Sequence, residues 1–196
     1  MTDSPTHLSQ DTINEFVVAA HFDFDKVRSM LETQPALLNE NATWVETSIQ
    51  AAAHVNRADI VEFLLGQGAP LDITTAAMLN QADDVRAMLE ADPAMIDDTG
   101  AHNLPLLYYA AISGNIELAA FLYEKGAVVN VEDGITSPLH GAALFGRTDM
   151  AAWLIDHDAN PYTVDFDGKT AHERAIQNGH AAIADLLSRF FPDDRA

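Results

Sequence analysis

Three glycines, Gly114, Gly146 and Gly179, stand 32 and 33 residues apart, each between a short apolar stretch and a longer one. The clearest copy runs from Ser137 to Ala159. Ser-Pro-Leu-His-Gly-Ala-Ala-Leu-Phe reads as a short helix, Gly146 stops it, and Met150-Ala-Ala-Trp-Leu-Ile continues as a second helix before the loop Asp156-His157-Asp158-Ala159. A period of this length predicts stacked helix pairs rather than one layered core. Isolated helices shorter than ~12–15 residues are marginal in water, so each pair must gain its stability by leaning on the next.

The same grammar recurs along the chain. Asp25-Lys-Val-Arg-Ser-Met-Leu-Glu-Thr-Gln-Pro-Ala-Leu-Leu has a twin 58 residues later, Asp83-Asp-Val-Arg-Ala-Met-Leu-Glu-Ala-Asp-Pro-Ala-Met-Ile. Pro35 and Pro93 lack the N–H that a helix needs and end it just before them. Asn56 and Asn80 stand where the later units have glycine, and Asn tolerates the left-handed turn. From Asn56 to Asn80 is only 24 residues, so the loop before the third helix pair is missing and Asp72 or Thr74 caps a helix from about Ile73. A gap or kink is expected there. Asp11 or Thr12 is expected to cap the first helix, and residues 1–10 to be disordered.

Pro138-Leu139-His140, Ala142-Ala143 and Gly146, with Met150 and Leu154-Ile155, resemble an ankyrin repeat. Thr47-Ser48-Ile49-Gln50-Ala51-Ala52-Ala53-His54 and the loop Asp165-Phe166-Asp167-Gly168-Lys169-Thr170 are similar to the same pattern, and Tyr108 takes the place of its histidine. The resemblance implies an all-α solenoid of antiparallel helix pairs joined by short hairpin fingers. Six units span residues 11–191, at about 11–41, 42–71, 72–98, 99–130, 131–163 and 164–191, the first and last acting as caps. In the family the histidine ties the helix cap to the neighbouring loop, which makes His140, with Ser137, a structural group. The small Ala52-Ala53, Ala110-Ala111 and Ala142-Ala143 let helices approach, Leu64, Leu122 and Leu154 fill the layer behind, and Phe63, Phe121, Trp153 and Leu186 are expected to form an internal column.

Composition narrows the function. The net charge is −20 and there is no Cys. Such a surface repels nucleic acid and anionic membranes and favours a basic partner. No apolar run approaches the ~20 residues that span a bilayer. The polar N-terminus lacks a basic-then-apolar leader, so a cytoplasmic protein is expected. No phosphate-binding Gly-rich loop, His-Glu-x-x-His or Gly-x-Ser-x-Gly occurs. The eight His are scattered with no metal-pair spacing, and Asp23-Phe24-Asp25 and Asp165-Phe166-Asp167 do not continue as calcium loops, so no metal or cofactor is expected.

What remains is surface. The family resemblance implies a partner held against the finger tips and the inner helix face. The inner-face candidates are Met78, Leu79, Ile112, Leu144 and Phe145, with Tyr108 as a further anchor. Trp44, Ile135, Tyr162 and Phe166 on the fingers extend the patch, and Asp133, Asp165 and Asp167 form an acid rim. The competing expectation is that neighbouring helices bury Met78, Leu79, Leu144 and Phe145. The function that follows is a non-catalytic, monomeric adaptor or inhibitor of one protein partner. An acidic immunity protein masking a basic toxin such as a nuclease is the alternative. An enzyme on a solenoid scaffold, using His140, His172 and Asp165, is the remote one.

Overall fold

The structure, a computed structural model, describes residues 8–191. They form six helix pairs: α1 (Gln10–Ala20) with α2 (Phe24–Thr33), α3 (Ser48–His54) with α4 (Ala58–Gly66), α5 (Ile73–Met78) with α6 (Ala82–Ala91), α7 (Leu106–Ser113) with α8 (Ile116–Glu124), α9 (Pro138–Leu144) with α10 (Thr148–Asp156), and α11 (Ala171–Gln177) with α12 (Ala181–Ser188). The odd-numbered helices pack one on the next along the whole stack, and even-numbered ones form a second row behind them. Three isolated bridges, Asn41 with Thr47, Thr99 with Pro105 and Val164 with Thr170, pin the hairpin fingers of units two, four and six. The fold is the all-α solenoid that the repeat requires.

Sequence chemistry sets the ends of these elements. Asn56, Asn80, Gly114, Gly146 and Gly179 all adopt positive φ, between 59° and 82°, and turn each inner helix into its partner. Pro35 and Pro93 each follow a helix C-cap and open a short 3-10 turn, so the twin segments end alike. The first helix begins earlier than expected. Ser9, not Asp11 or Thr12, is the cap, its Oγ accepting from Thr12 N at 3.1 Å. Of the expected disordered segment, residues 1–7 lie outside the described residues, Leu8 packs against the core, Ser9 caps α1 and Gln10 opens it.

The core is a single apolar seam. Ala52, Ala53, Ala110, Ala111, Ala142 and Ala143 are buried, as are Leu64, Leu122 and Leu154 behind them. Gly141 lets α9 pack closely on α7, since a Cβ there would sit 2.9 Å from Ile112 Cγ2 and from the Tyr108 ring. Phe63, Phe121, Trp153 and Leu186 differ from expectation. They are half-buried flanks of the outer helices rather than an internal column, with Arg86 lying 5.3 Å over the Phe121 ring.

Side chains just after the turns stitch units together. Arg147 Nε donates to Ile112 O at 2.8 Å, His180 Nε2 meets Leu144 O at 3.1 Å, and Asn115 bonds Asn80. The first two satisfy carbonyls that a helix C-terminus leaves without intrahelical partners. The third unit has no finger: Asp72 caps α5 directly, Oδ1 accepting from Thr75 N at 2.7 Å. The gap does not stay open. A 3-10 turn in the fourth finger, Ala101–Asn103, reaches across it to α3.

Candidate functional site

That reach contributes His102 and Leu104 to a concave surface. Between the inner helices and the fingers lies a cleft of about 490 Å³. Tyr108 from α7 and Leu144 with Phe145 from the end of α9 form one side of its lining. Ile135 and Phe166 come from fingers five and six, and Val55 and Leu104 complete the apolar part. The wall is apolar apart from Thr136 and, at one end, His54 and His102. Phe166 is 74% exposed at the rim, while Leu144 and Phe145 are half-buried. Apolar side chains left in a row on a concave face are what a binding surface needs.

The residues singled out from the sequence divide three ways. Tyr108, Ile135, Leu144, Phe145 and Phe166 converge on the cleft. Tyr108 is floor rather than anchor, being buried with its hydroxyl donating to His54 O at 2.9 Å. Met78 and Ile112 are corrections. Both are buried in the seam, because α5 is flanked by α3 and α7, and α9 closes over Ile112 at Gly141. Leu79 is half-buried against the core and does not line the cleft.

The finger residues are partly committed to the fold. Tyr162 is exposed but packs edge-on against Phe190 and Phe191 at the far end. Asp133 Oδ1 accepts from Val164 N at 3.1 Å, tying finger five to finger six. Asp167 pairs with Arg174 at 2.6 Å, and Arg174 also lies 5.6 Å over the Phe166 ring. Asp165 is buried and accepts from Asp167 N, Lys169 N and Arg174 Nε. Burial alone would raise its carboxyl, but Arg174 and then the two backbone N–H groups outweigh that and hold it below the usual carboxylate range. His140 serves its own cap. Nδ1 accepts from Ser137 N at 3.2 Å, and Nε2 donates to Lys169 O at 2.9 Å. Of the groups that an enzyme would have drawn on here, His140 and Asp165 are thus engaged by backbone and by Arg174, and His172 stacks on the Phe191 ring.

One constellation escaped the sequence. Trp44 donates its indole N–H to Glu46 Oε2 at 2.6 Å, and Glu46 is buried at 2% exposure. Its other oxygen faces three imidazoles: His54 Nδ1 at 3.2 Å, His102 Nε2 at 3.7 Å and His21 Nε2 at 3.8 Å. Burial alone would raise the Glu46 carboxyl. The His54 and Trp44 contacts and the neighbouring imidazoles reverse this and lower it. His21 ends α1, His54 ends α3, Glu46 sits in finger two and His102 in finger four, so no local spacing announces them.

Comparison with known proteins agrees with the geometry. A model of the single ankyrin repeat matches residues 46–76, one of ankyrin repeats in many copies matches 107–155, and one of three copies matches 132–193. The chain is 35% identical over 113 residues to the E3 ubiquitin-protein ligase hecd-1 of Caenorhabditis elegans. It is 36% identical over 116 residues to the E3 ubiquitin-protein ligase Ufd4 of Drosophila melanogaster, and 37% over 84 residues to the ARF GTPase-activating protein GIT1 of Homo sapiens. These alignments take in 53%, 55% and 41% of this chain but only 4%, 4% and 11% of the relatives. Ankyrin repeats are protein-interaction scaffolds, generally without catalysis of their own, and among the described residues no helix is long and apolar enough to cross a membrane. With six stacked pairs, left-handed turns at the repeat period and family models matching residues 46–76 and 107–193, this chain belongs to the ankyrin repeat family.

Proposed function

We propose that the chain is a non-catalytic adaptor or inhibitor, acting as a monomer, that holds an apolar segment of one protein partner in the cleft. The observation that carries this reading is the convergence of Ile135, Leu144, Phe145 and Phe166 from two successive units on one concave surface. Desolvating a few such anchors supplies most of the affinity in an interface of this kind. The net charge of −20 favours a basic partner, whose encounter it speeds and makes salt-sensitive. The test is affinity capture from the native cell, with mass-spectrometric identification of what stays bound. A Leu144→Asp, Phe145→Asp double variant that keeps its helical circular dichroism is expected to lose the partner. Equal recovery by wild type and variant removes the cleft from the account, and light scattering at several concentrations tests the single copy.

A further inference from the structure

The fold buries the Glu46 carboxylate without satisfying it. Oε2 has the Trp44 N–H, but Oε1 has no hydrogen-bond partner. The nearest nitrogen, His54 Nδ1 at 3.2 Å, is also 3.1 Å from Gln50 O, which competes for its proton. A buried carboxylate oxygen without a partner is costly. Three imidazoles nevertheless crowd it, the His21 and His102 rings each lying edge-on to His54 at 5.0 Å. Such packing brings a ring nitrogen of each histidine to within 3.8 Å of one carboxylate oxygen.

The tautomers point the same way. His21 Nδ1 lies 3.1 Å from Val17 O and 3.2 Å from Val18 O in its own helix, so that nitrogen carries the proton and Nε2 turns a lone pair toward Glu46. A backbone carbonyl orienting one ring nitrogen while the other faces a shared centre is the arrangement of metal-bound histidine. The Trp44 N–H fixes the carboxylate in the same manner. One ligand atom from each of the four residues lies within 4.8 Å of all the others. Ligands ~2.0–2.1 Å from a tetrahedral zinc sit about 3.4 Å apart, so closing on an ion takes side-chain rotations and no backbone rearrangement.

We propose that His21, Glu46, His54 and His102 bind one divalent transition-metal ion of the zinc class. Imidazole nitrogens with a single carboxylate oxygen select this class over calcium or magnesium, which take oxygen ligands. Four protein ligands close the coordination sphere, so the ion is a staple and not a catalyst. It ties units one, two and four together across the missing third finger. His54 and His102 also line the cleft, so loading the site sets the shape of that end. The site stands whether or not the cleft holds a protein partner.

The experiment strips the whole chain with a chelator and titrates it with zinc chloride by calorimetry, and with cobalt(II) while visible absorption is followed. Wild type is expected to take one equivalent of zinc, give the strong absorption of four-coordinate cobalt, and melt at a higher temperature when loaded. His102→Asn removes an exposed ligand from a position with φ of 57°, which Asn tolerates, and is expected to weaken zinc binding by at least about tenfold. Glu46→Gln keeps the shape and the Trp44 bond, and is expected to fold without binding the ion. His172→Gln, in the last unit, is expected to bind as wild type does. Less than one equivalent bound by the folded chain with zinc in excess overturns the proposal, and so does unchanged affinity in His102→Asn.

Discussion

In the sixth unit the finger residue just before the helix cap is Lys169, and its carbonyl receives the hydrogen bond of His140 from the unit before. In the second unit that place belongs to Glu46, whose carboxylate turns inward and meets no donor at Oε1. The contrast extends to the surrounding regions. In units five and six, buried His140 and Asp165 are fully engaged, and fingers five and six touch through Gly134 N and Val164 O at 2.9 Å. The buried side-chain atoms without a partner among the described residues, Glu46 Oε1, Thr75 Oγ1, Gln81 Oε1 and Tyr109 Oη, all belong to units two to four. A regular repeat brings each polar group to its neighbour's matching group. Where a finger is deleted the register is lost, and the freed groups meet new companions.

The largest expected effect tests whether the contrast is confined to polar groups. Leu64 in unit two and Leu154 in unit five are both fully buried at equivalent positions. Each Leu→Ala change should cost about 2–5 kcal/mol in chemical denaturation, the range for cavities of this kind. A loss below about 0.5 kcal/mol at Leu154 is outside any core truncation and would mean that the seam is misplaced. A wide gap between the two variants would mean that apolar packing also differs between the halves.

A smaller effect isolates the histidine tie. Unit two already caps α3 with Gln50, whose Oε1 accepts from Thr47 N at 3.1 Å. His140→Gln therefore converts the cap of unit five into that of unit two and removes only the bond to Lys169 O, at about 1 kcal/mol. The variant also carries a pH signature. Burial lowers the His140 imidazole, against the Lys169 carbonyl and Asp165, which favour its charged form, while Arg174 opposes it. The unfolded chain then takes the proton more readily. Stability is complete above the unfolded imidazole value of about 6.5 and falls as the pH drops through it. Asp165, also lowered, keeps its contribution to lower pH and loses it only as the pH falls through its folded-state value. Wild-type melting temperature should fall more between pH 7.5 and 5.5 than that of His140→Gln, windows set by the imidazole alone. Parallel melting curves for the two proteins would deny His140 that role.

The regular half was open to reading because its signals are local. The Ser137 and His140 cap, the glycine turns, Leu154 and the proline stops each occupy a few neighbouring residues, and the missing finger showed as a short interval between Asn56 and Asn80. The irregular half was not. What closes a gap depends on where the next finger travels, and His102 is carried to Glu46 by a left-handed 3-10 turn with no hydrophobic pattern. Met78 and Ile112 failed for a related reason. Their position before the turn places them on the inner face, but whether that face is open depends on the neighbouring helix, and Gly141 lets α9 close over Ile112. At Leu144 and Phe145 the same position remains half-exposed.

The smallest effect concerns one backbone angle. The finger turn of unit six places Gly168 at φ of 69°, two residues before the Thr170 cap. Val45 holds the matching place before Thr47, at φ of 63°, with its side chain 80% exposed. A β-branched residue there carries strain of about 1–2 kcal/mol, and exposure means that little packing offsets it. Val45→Gly removes the strain but adds about 0.5–1 kcal/mol of chain entropy to the unfolded state. The balance is a gain of roughly 0.5–1 kcal/mol, to be read from the urea midpoint at constant slope. The converse change, Gly168→Val, should lose a similar amount, because it imposes on the regular finger the strain that the irregular one already bears. If Val45→Gly instead destabilises, the left-handed Val45 is held by the surroundings of Glu46 rather than tolerated, and the second finger is built around its carboxylate.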